Sequence, residues 1–144
     1  MRYHLNEGQF DTPDDGRIDR SMNVLAMPDG SGTTLIVSRD ALQTQENLPQ
    51  FVTRQMRDLT CQVSQLKEVS RGEVSVGSPV LNLWAIELVT QFKQNGQALY
   101  QRQAVFQLSG RRNVLIFTAS SAIPFDAEGL ALWQRTLASF QPRT

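Results

Sequence analysis

The chain has 144 residues, and its 14 lysines and arginines balance its 14 aspartates and glutamates. This length predicts one domain, residues 1–144, with room for a hydrophobic core. The balanced charge gives no general attraction for nucleic acid or an anionic membrane, and the single Cys61 excludes an internal disulfide and a thiolate metal site.

The N-terminal sequence interrupts every apolar residue with polar ones, so no secretory signal is expected. No run of about eighteen apolar residues occurs, so the chain is not expected to insert into a membrane itself. Both observations predict a cytoplasmic protein. In a reducing compartment we expect Cys61 to be a small buried apolar residue.

Four short strands are predicted in the N-terminal part of the chain. Arg2–Leu5 and Gln9–Phe10 form the first pair. Met22–Met27 and Thr33–Ser38 form the second pair, joined by the turn formers of Pro28–Gly32. Apolar residues alternate onto both faces of the second pair, which a sheet covered on one side would not need.

A helix is predicted from Leu48–Pro49 to about Leu66, after a polar connection over Asp40–Asn47. Its apolar residues recur at helical spacings: Phe51, Val52, Met56, Leu59, Val63 and Leu66. Gln55 lies along one edge of this stripe. The helix could therefore flank a groove on a sheet as well as pack on a core.

The second half of the chain predicts an antiparallel meander after a short strand or turn at Val74–Gly77. Its strands are Val80–Thr90, Leu99–Leu108 and Val114–Thr118. Asn95-Gly96 is a strong hairpin signal, and a second turn is expected at Gly110–Asn113. A final helix begins after Asp126, the expected N-cap. Its apolar face should cover one side of the sheet with Leu130, Trp133, Leu137 and Phe140.

The strand Leu99–Leu108 has two different faces, because side chains alternate along a strand. One face carries Tyr100, Ala104, Phe106 and Leu108 with Arg102 and can close a core. The other carries Leu99, Gln101, Gln103, Val105 and Gln107. That face suits a surface that receives an apolar partner and offers it hydrogen bonds, although a sheet with glutamines facing water fits the same pattern.

No motif supports an enzyme, a metal site or a cofactor. His4 is the only histidine and is read as structural. Asp11, Asp14 and Asp15 lack the spacing of a calcium loop. The glycines of Gly30-Ser31-Gly32 form a turn, since no lysine-bearing helix follows them.

Six short motifs, in this order and spacing, resemble the DcrB-related family and, within it, the Eag branch of effector-associated chaperones of bacterial type VI secretion. They are Asp19-Arg20-Ser21-Met22-Asn23, Ser38-Arg39-Asp40, Arg54-Gln55, Gln101-Arg102-Gln103, Leu115-Ile116-Phe117-Thr118 and Ser139-Phe140. The resemblance runs from Tyr3 to Phe140. It implies an α/β (α+β) fold of the PsbP-like kind, with a curved antiparallel sheet and flanking helices, acting as a homodimer.

The resemblance also implies a function and a site. Such chaperones hold the N-terminal transmembrane helices of a toxic effector in the cytoplasm until the effector is loaded onto the secretion spike, which the chaperone would meet through the effector. In this family the concave sheet face and the adjoining helix form the client groove. The client-binding residues implied in this way are Met22, Val24, Ile36, Gln55, Leu59, Val63, Leu99, Gln101 and Gln103.

Two other interpretations stay open at this point. The aliphatic residues of this set could fill an ordinary core. The chain could also be a non-catalytic protein-binding module of PsbP-like fold with a different partner, because a fold alone does not decide function.

Overall fold

The computed structural model describes residues 1–108 and 112–143. A two-stranded sheet contains β1 (Arg2–His4) and β2 (Gln9–Asp11). The larger, curved sheet contains β3 (Met22–Leu25), β4 (Thr34–Ala41), β5 (Ser64–Val76), β6 (Leu83–Gln94), β7 (Gln97–Gln107) and β8 (Asn113–Ser121). Two helices, α1 (Leu48–Gln62) and α2 (Ala127–Ala138), complete the described fold. The predicted mixed α/β architecture is confirmed.

All neighbours in the larger sheet are antiparallel, in the order β3-β4-β8-β7-β6-β5. The predicted meander of β6, β7 and β8 is confirmed. The hairpin at Asn95-Gly96 is also confirmed, and both residues have the positive φ, 53° and 78°, that its tight turn requires. The other predicted turn, Gly110–Asn113, begins with residues 110 and 111, which lie outside the described residues.

The strand β6 begins later than predicted, at Leu83 instead of Val80. Pro79–Leu81 forms a single 3-10 turn capped by the hydroxyl of Ser78, so Val80 and Leu81 precede the strand. In contrast, β4 continues beyond the predicted Ser38 as far as Ala41, because its pairing with β8 extends to Asn113.

The helix α1 begins as predicted and ends earlier. Asn47 and Gln50 form a capping box, in which each side-chain oxygen accepts a 2.9 Å hydrogen bond from the other residue's backbone N–H. The prediction of a helix to Leu66 is wrong. Val63 is already extended, with φ −126° and ψ 166°, and Gln65 has φ 54°.

The residues after α1 form the 13-residue edge strand β5, which the sequence did not predict. Val74–Gly77, expected as a short strand or turn, is the end of this long strand. Two register shifts interrupt its pairing with β6, and most of its side chains are exposed. Cys61, near the end of α1, is exposed, so the expectation of a buried cysteine is wrong.

The two faces of the larger sheet are covered differently. We call them the α2 face and the α1 face after the helix on each. On the α2 face, Asp126 caps the helix by accepting a 2.7 Å hydrogen bond from the backbone N–H of Gly129. The buried cluster there contains Val76, Ala85, Ala104, Phe106, Phe117, Ala119, Trp133 and Leu137. Phe140 joins this cluster beyond the end of the helix, against the rings of Phe106 and Phe117.

On the α1 face, a second buried cluster lies beneath the helix. It contains Leu42, Phe51, Val52, Met56, Leu88, Val105, Val114 and Ile116. Val105 and Ile116 are direct partners in the sheet. The next pair on the same face, Gln103 and Thr118, lies outside this cluster, so α1 closes the core over only part of its face.

Candidate functional site

A cleft of about 290 Å³ lies on the α1 face, between the second half of α1 and the strands below it. Its lining residues are Ile36, Gln55, Met56, Asp58, Leu59, Gln62, Val63, Phe92, Gln94, Gln101, Gln103 and Thr118. The set mixes aliphatic groups with five glutamine amides. Such a surface can bury an apolar partner and also form hydrogen bonds with it.

The floor of the cleft lies next to the buried core of the α1 face, where the residues of β7 and β8 on this face become polar. Gln103 on β7 and Thr118 on β8 are direct sheet partners, and the Gln103 Nε2 donates a 3.1 Å hydrogen bond to the Thr118 Oγ1. Among the described residues, no group donates a hydrogen bond to the side-chain Oε1 of Gln103. An amide held in this way can accept a bond from a molecule in the cleft.

The helical wall of the cleft is formed by one side of α1. Gln55, Leu59 and Gln62 recur at spacings of four and three, so they lie on one side of the helix. The Gln55 Nε2 is 3.5 Å from the Asp40 Oδ2 on β4, a long contact that joins the helix to the sheet at one end of the cleft.

An ion pair fixes the start of this helix. The Arg54 guanidinium donates two hydrogen bonds, of 2.9 and 3.0 Å, to the Glu46 carboxylate in the preceding loop. These bonds lower the pKa of Glu46 to about 2 and raise the pKa of Arg54. The Arg54 guanidinium also lies 5.1 Å from the ring centre of Phe51. The position of the cleft wall is therefore set by the capped first turn of α1 and by the ion pair that ties its second turn to the preceding loop.

Six of the nine predicted client-binding residues lie together in the cleft: Ile36, Gln55, Leu59, Val63, Gln101 and Gln103. Val24 lies beside them, since it is the sheet partner of Ile36. Met22 and Val24 on the edge strand β3 are 62% and 56% exposed. Leu99 lines a neighbouring cavity of about 320 Å³ that shares Phe92 with the cleft.

The alternative in which these residues fill an ordinary core does not describe this structure. None of the nine is buried: Met22 and Val24 are exposed, and the other seven are half-buried. Leu59 takes both roles, because it packs against the core under α1 and also lines the cleft.

Several lining residues were not predicted. Phe92 could have been found, because a hairpin centred on Asn95-Gly96 pairs it with Leu99. Thr118 could not, since its pairing with Gln103 depends on the register between β7 and β8. Asp58 is the single ionisable side chain among the residues lining the cleft, and no sequence motif marks it.

Two other features, a metal-binding cluster and a membrane-spanning helix, are absent from residues 1–108 and 112–143. No group of three or more histidine, cysteine, aspartate or glutamate side chains there could hold a metal ion. In the same residues, neither helix is long and apolar enough to cross a bilayer.

Comparison with known proteins relates the whole chain to two proteins of Pseudomonas aeruginosa. The chain is 25% identical to a protein named effector EagT6, over 98% of this chain and 95% of that protein. It shares its fold with a crystal structure of protein PA94, described as of unknown function and a putative regulator. The TM-score is 0.73 at 23% identity, covering 100% of this chain and 97% of that one. The DcrB family profile matches residues 7–139, and the chain therefore belongs to the DcrB family.

Proposed function

We propose that this protein is a cytoplasmic Eag-type chaperone of type VI secretion. It shields the N-terminal transmembrane helices of an effector and aids the loading of that effector onto the secretion spike. The full-length similarity to the protein named effector EagT6 supports an effector-associated role. The observation that carries the finer proposal is the open cleft, with its aliphatic and amide lining next to the exposed apolar strand β3.

The proposal includes the form in which the protein acts. Residues 1–144 act as one domain of PsbP-like fold, as a homodimer, without cofactor or metal and without catalysis. The spike is reached through the bound effector. Neither the family description nor the names of the two relatives gives an enzyme activity, which is consistent with a binding role.

The hydrophobic effect would supply most of the affinity for a transmembrane helix. Covering roughly 500 Å² of apolar surface at about 25 cal/mol per Å² contributes on the order of 12 kcal/mol before the costs of association. The aliphatic groups of Ile36, Leu59 and Val63 can supply their side of this contact. They do not by themselves distinguish a membrane helix from another apolar segment.

The amides would supply the selectivity. A client helix that covers Gln103 without bonding to it would leave a polar group unsatisfied, at a cost of about 1–3 kcal/mol. Helices with small residues at four-residue spacing bring their backbone close enough to form such bonds, as they do in membranes. The cleft would therefore take the place of a neighbouring transmembrane helix.

Replacing Gln103 tests this role. Gln103→Leu should weaken protection and binding of the client on co-expression with the neighbouring open reading frame. The single change also removes the partner of the buried Thr118 hydroxyl, which is 6% exposed. The double variant Gln103→Leu/Thr118→Val removes both polar partners and should recover most of the stability.

The comparison of the two variants separates binding from folding. The proposal expects the double variant to melt near the wild type and still fail to keep the client soluble. Unchanged client levels and affinity in both variants would contradict the role of Gln103. The matched single variant Thr118→Val measures how much the hydroxyl contributes to stability and to client binding.

A second candidate is a protein-binding module with another kind of partner. The observation in its favour is the fold shared with PA94, described as a putative regulator. Co-expression distinguishes the two candidates. A neighbour with apolar N-terminal helices that becomes soluble only with this chain supports the chaperone, and a stable neighbour without such helices supports the module.

A further inference from the structure

Asp58 introduces the one formal charge among the residues that line the cleft. It lies on α1 between Gln55 and Gln62, and its side chain is exposed at the rim. Glutamines, a threonine and apolar residues make up the rest of the lining. A partner that enters the cleft therefore meets a neutral floor and an anionic rim.

The charges around Asp58 are mixed, with the acids Asp40 and Glu46 and the cations Arg54 and Arg57. Arg54, one turn before Asp58 on the helix, is held by Glu46 through two hydrogen bonds, and the charges of Asp40 and Asp58 also act on it. Asp40, which contacts Gln55 from β4, is also an acid. Among the described residues, Asp58 takes part in no ion pair within 4.0 Å.

An apolar helix laid across this rim changes the surroundings of the carboxylate. Partial removal of water from a carboxylate is unfavourable unless a cation or a hydrogen-bond donor replaces it. Transmembrane helices carry lysines and arginines next to their apolar segments. The long aliphatic stems of these residues can follow an apolar surface and place the charge at its edge.

The dimensions of the cleft make the flank of such a helix accessible. On β7 the floor of the cleft covers Gln103 and Gln101, and the neighbouring cavity continues to Leu99, about 14 Å from Gln103 at the rise of an antiparallel strand. A helix that spans a membrane is about 30 Å long. A client helix therefore extends beyond the cleft, and its charged flank can lie at the rim.

We propose that Asp58 is a specificity residue that pairs with a lysine or arginine flanking the apolar helix of the client, and that it disfavours acidic flanks. This inference rests on the proposed function and adds a charge requirement to it. It also sets the position of the client along the cleft, because the basic flank must lie beside the second half of α1.

Synthetic helices test the inference without knowledge of the natural client. The probes are three peptides with the same 20-residue leucine-alanine segment, flanked by two lysines, two glutamates or two glutamines. Their affinities are measured for the full wild-type chain, Asp58→Asn and Asp58→Lys. Asp14→Asn, which removes a loop carboxylate away from the cleft, is the matched control.

The wild type and the control should bind the lysine-flanked peptide about three- to ten-fold more tightly than the glutamate-flanked one. The ratio should fall close to one in Asp58→Asn and reverse in Asp58→Lys. High salt should reduce it, since a rim charge is screened. The glutamine-flanked peptide should bind all variants equally.

Two outcomes overturn the inference, and they differ in what they say about the proposed function. Binding of all peptides with the same ratio in every variant removes the role of Asp58 and leaves the chaperone proposal intact. Failure of the wild type to bind any of the three peptides contradicts the chaperone proposal and the charge requirement with it.

Discussion

The two faces of the larger sheet are built from the same strands and differ in how completely a helix covers them. On β7, Ala104 and Phe106 point to the α2 face and are fully buried. Their neighbours Gln101 and Gln103 point to the α1 face and line the cleft. Because side chains alternate along β7, one face of the strand contributes to the core and part of the other face lines the cleft.

Aromatic packing makes the α2 face a closed core. Phe106, Phe117 and Phe140 form three edge contacts, with ring centres 5.2 to 5.9 Å apart. The indole N–H of Trp133 donates a 2.8 Å hydrogen bond to Glu87 on β6, so the helix is also fixed by a polar contact. No comparable aromatic cluster covers Gln101, Gln103 and Thr118 in the described residues.

The largest difference between the two faces is expected in stability, from the variant Phe106→Ala on the α2 face. The ring is fully buried at the centre of the aromatic cluster, so its loss leaves a cavity that the sheet and α2 cannot fill. We expect a loss of about 3–5 kcal/mol in the free energy of unfolding. Urea unfolding followed by tryptophan fluorescence measures it, and a loss below about 1 kcal/mol would show that the α2 face is not the main core.

The next largest difference is expected between two matched valine variants, one on each surface, in stability and in client binding. Val76 is fully buried on the α2 face, whereas Val24 on β3 is 56% exposed beside the cleft. Val76→Ala should cost about 1.5–3 kcal/mol and Val24→Ala at most about 0.5 kcal/mol. Binding of the client should show the reverse order, with the larger loss for Val24→Ala. Equal losses of stability in the two variants would contradict the assignment of β3 to the open surface.

The capping box of α1 is expected to contribute less. Asn47→Ala removes the side-chain acceptor at the start of the helix and should cost about 1 kcal/mol. Since this helix forms the wall of the cleft, client affinity should fall together with stability. Asp126→Ala at the cap of α2 is the control, with a similar loss of stability and unchanged client affinity. A loss of affinity in both variants would indicate a general effect of unfolding.

The sequence predicted the features that depend on local signals. Asn95-Gly96 predicted the hairpin, and the alternation along Leu99–Leu108 placed Gln101 and Gln103 on the face that lines the cleft. Val105, predicted on the same open face, is instead buried in the core under α1. The helical spacing of its apolar residues predicted α1 but did not predict where the helix ends. Val63 and Leu66 continue the helical spacing although the chain is already extended there, and no glycine or proline marks the change.

The features that depend on the whole sheet could not be predicted. The pattern of β5 is mostly polar and interrupted by register shifts, so it lacks the regular alternation of a half-buried strand. The apolar residues of β3 alternate like those of a buried strand. Only the strand order places them at an edge, where Met22 and Val24 remain exposed.

The smallest expected effect is a loss of stability at low pH, where the two hydrogen bonds between Arg54 and Glu46 at the start of α1 are lost. The pKa of Glu46 is lowered from 4.5 to about 2, chiefly by the hydrogen bonds from Arg54. A lowered pKa means that the stabilising contribution is fully present above about pH 4.5 and is lost as the pH falls through about 2. The wild type should therefore lose stability over this window, and Glu46→Gln should not show this part of the loss.

Urea unfolding of the wild type and Glu46→Gln between pH 7 and pH 2 measures the difference. The gap between the two should be constant above about pH 5 and close toward pH 2. Asp11→Asn is the control, because its ion pair with Arg2 joins side chains that are 74% and 53% exposed. A gap between the wild type and Glu46→Gln that is independent of pH would mean that the Arg54 bonds do not act through the charge of Glu46. If the gap closes as expected, lowering the pH toward 2 should weaken client binding before it unfolds the α2 face, because the ion pair fixes only the helix beside the cleft.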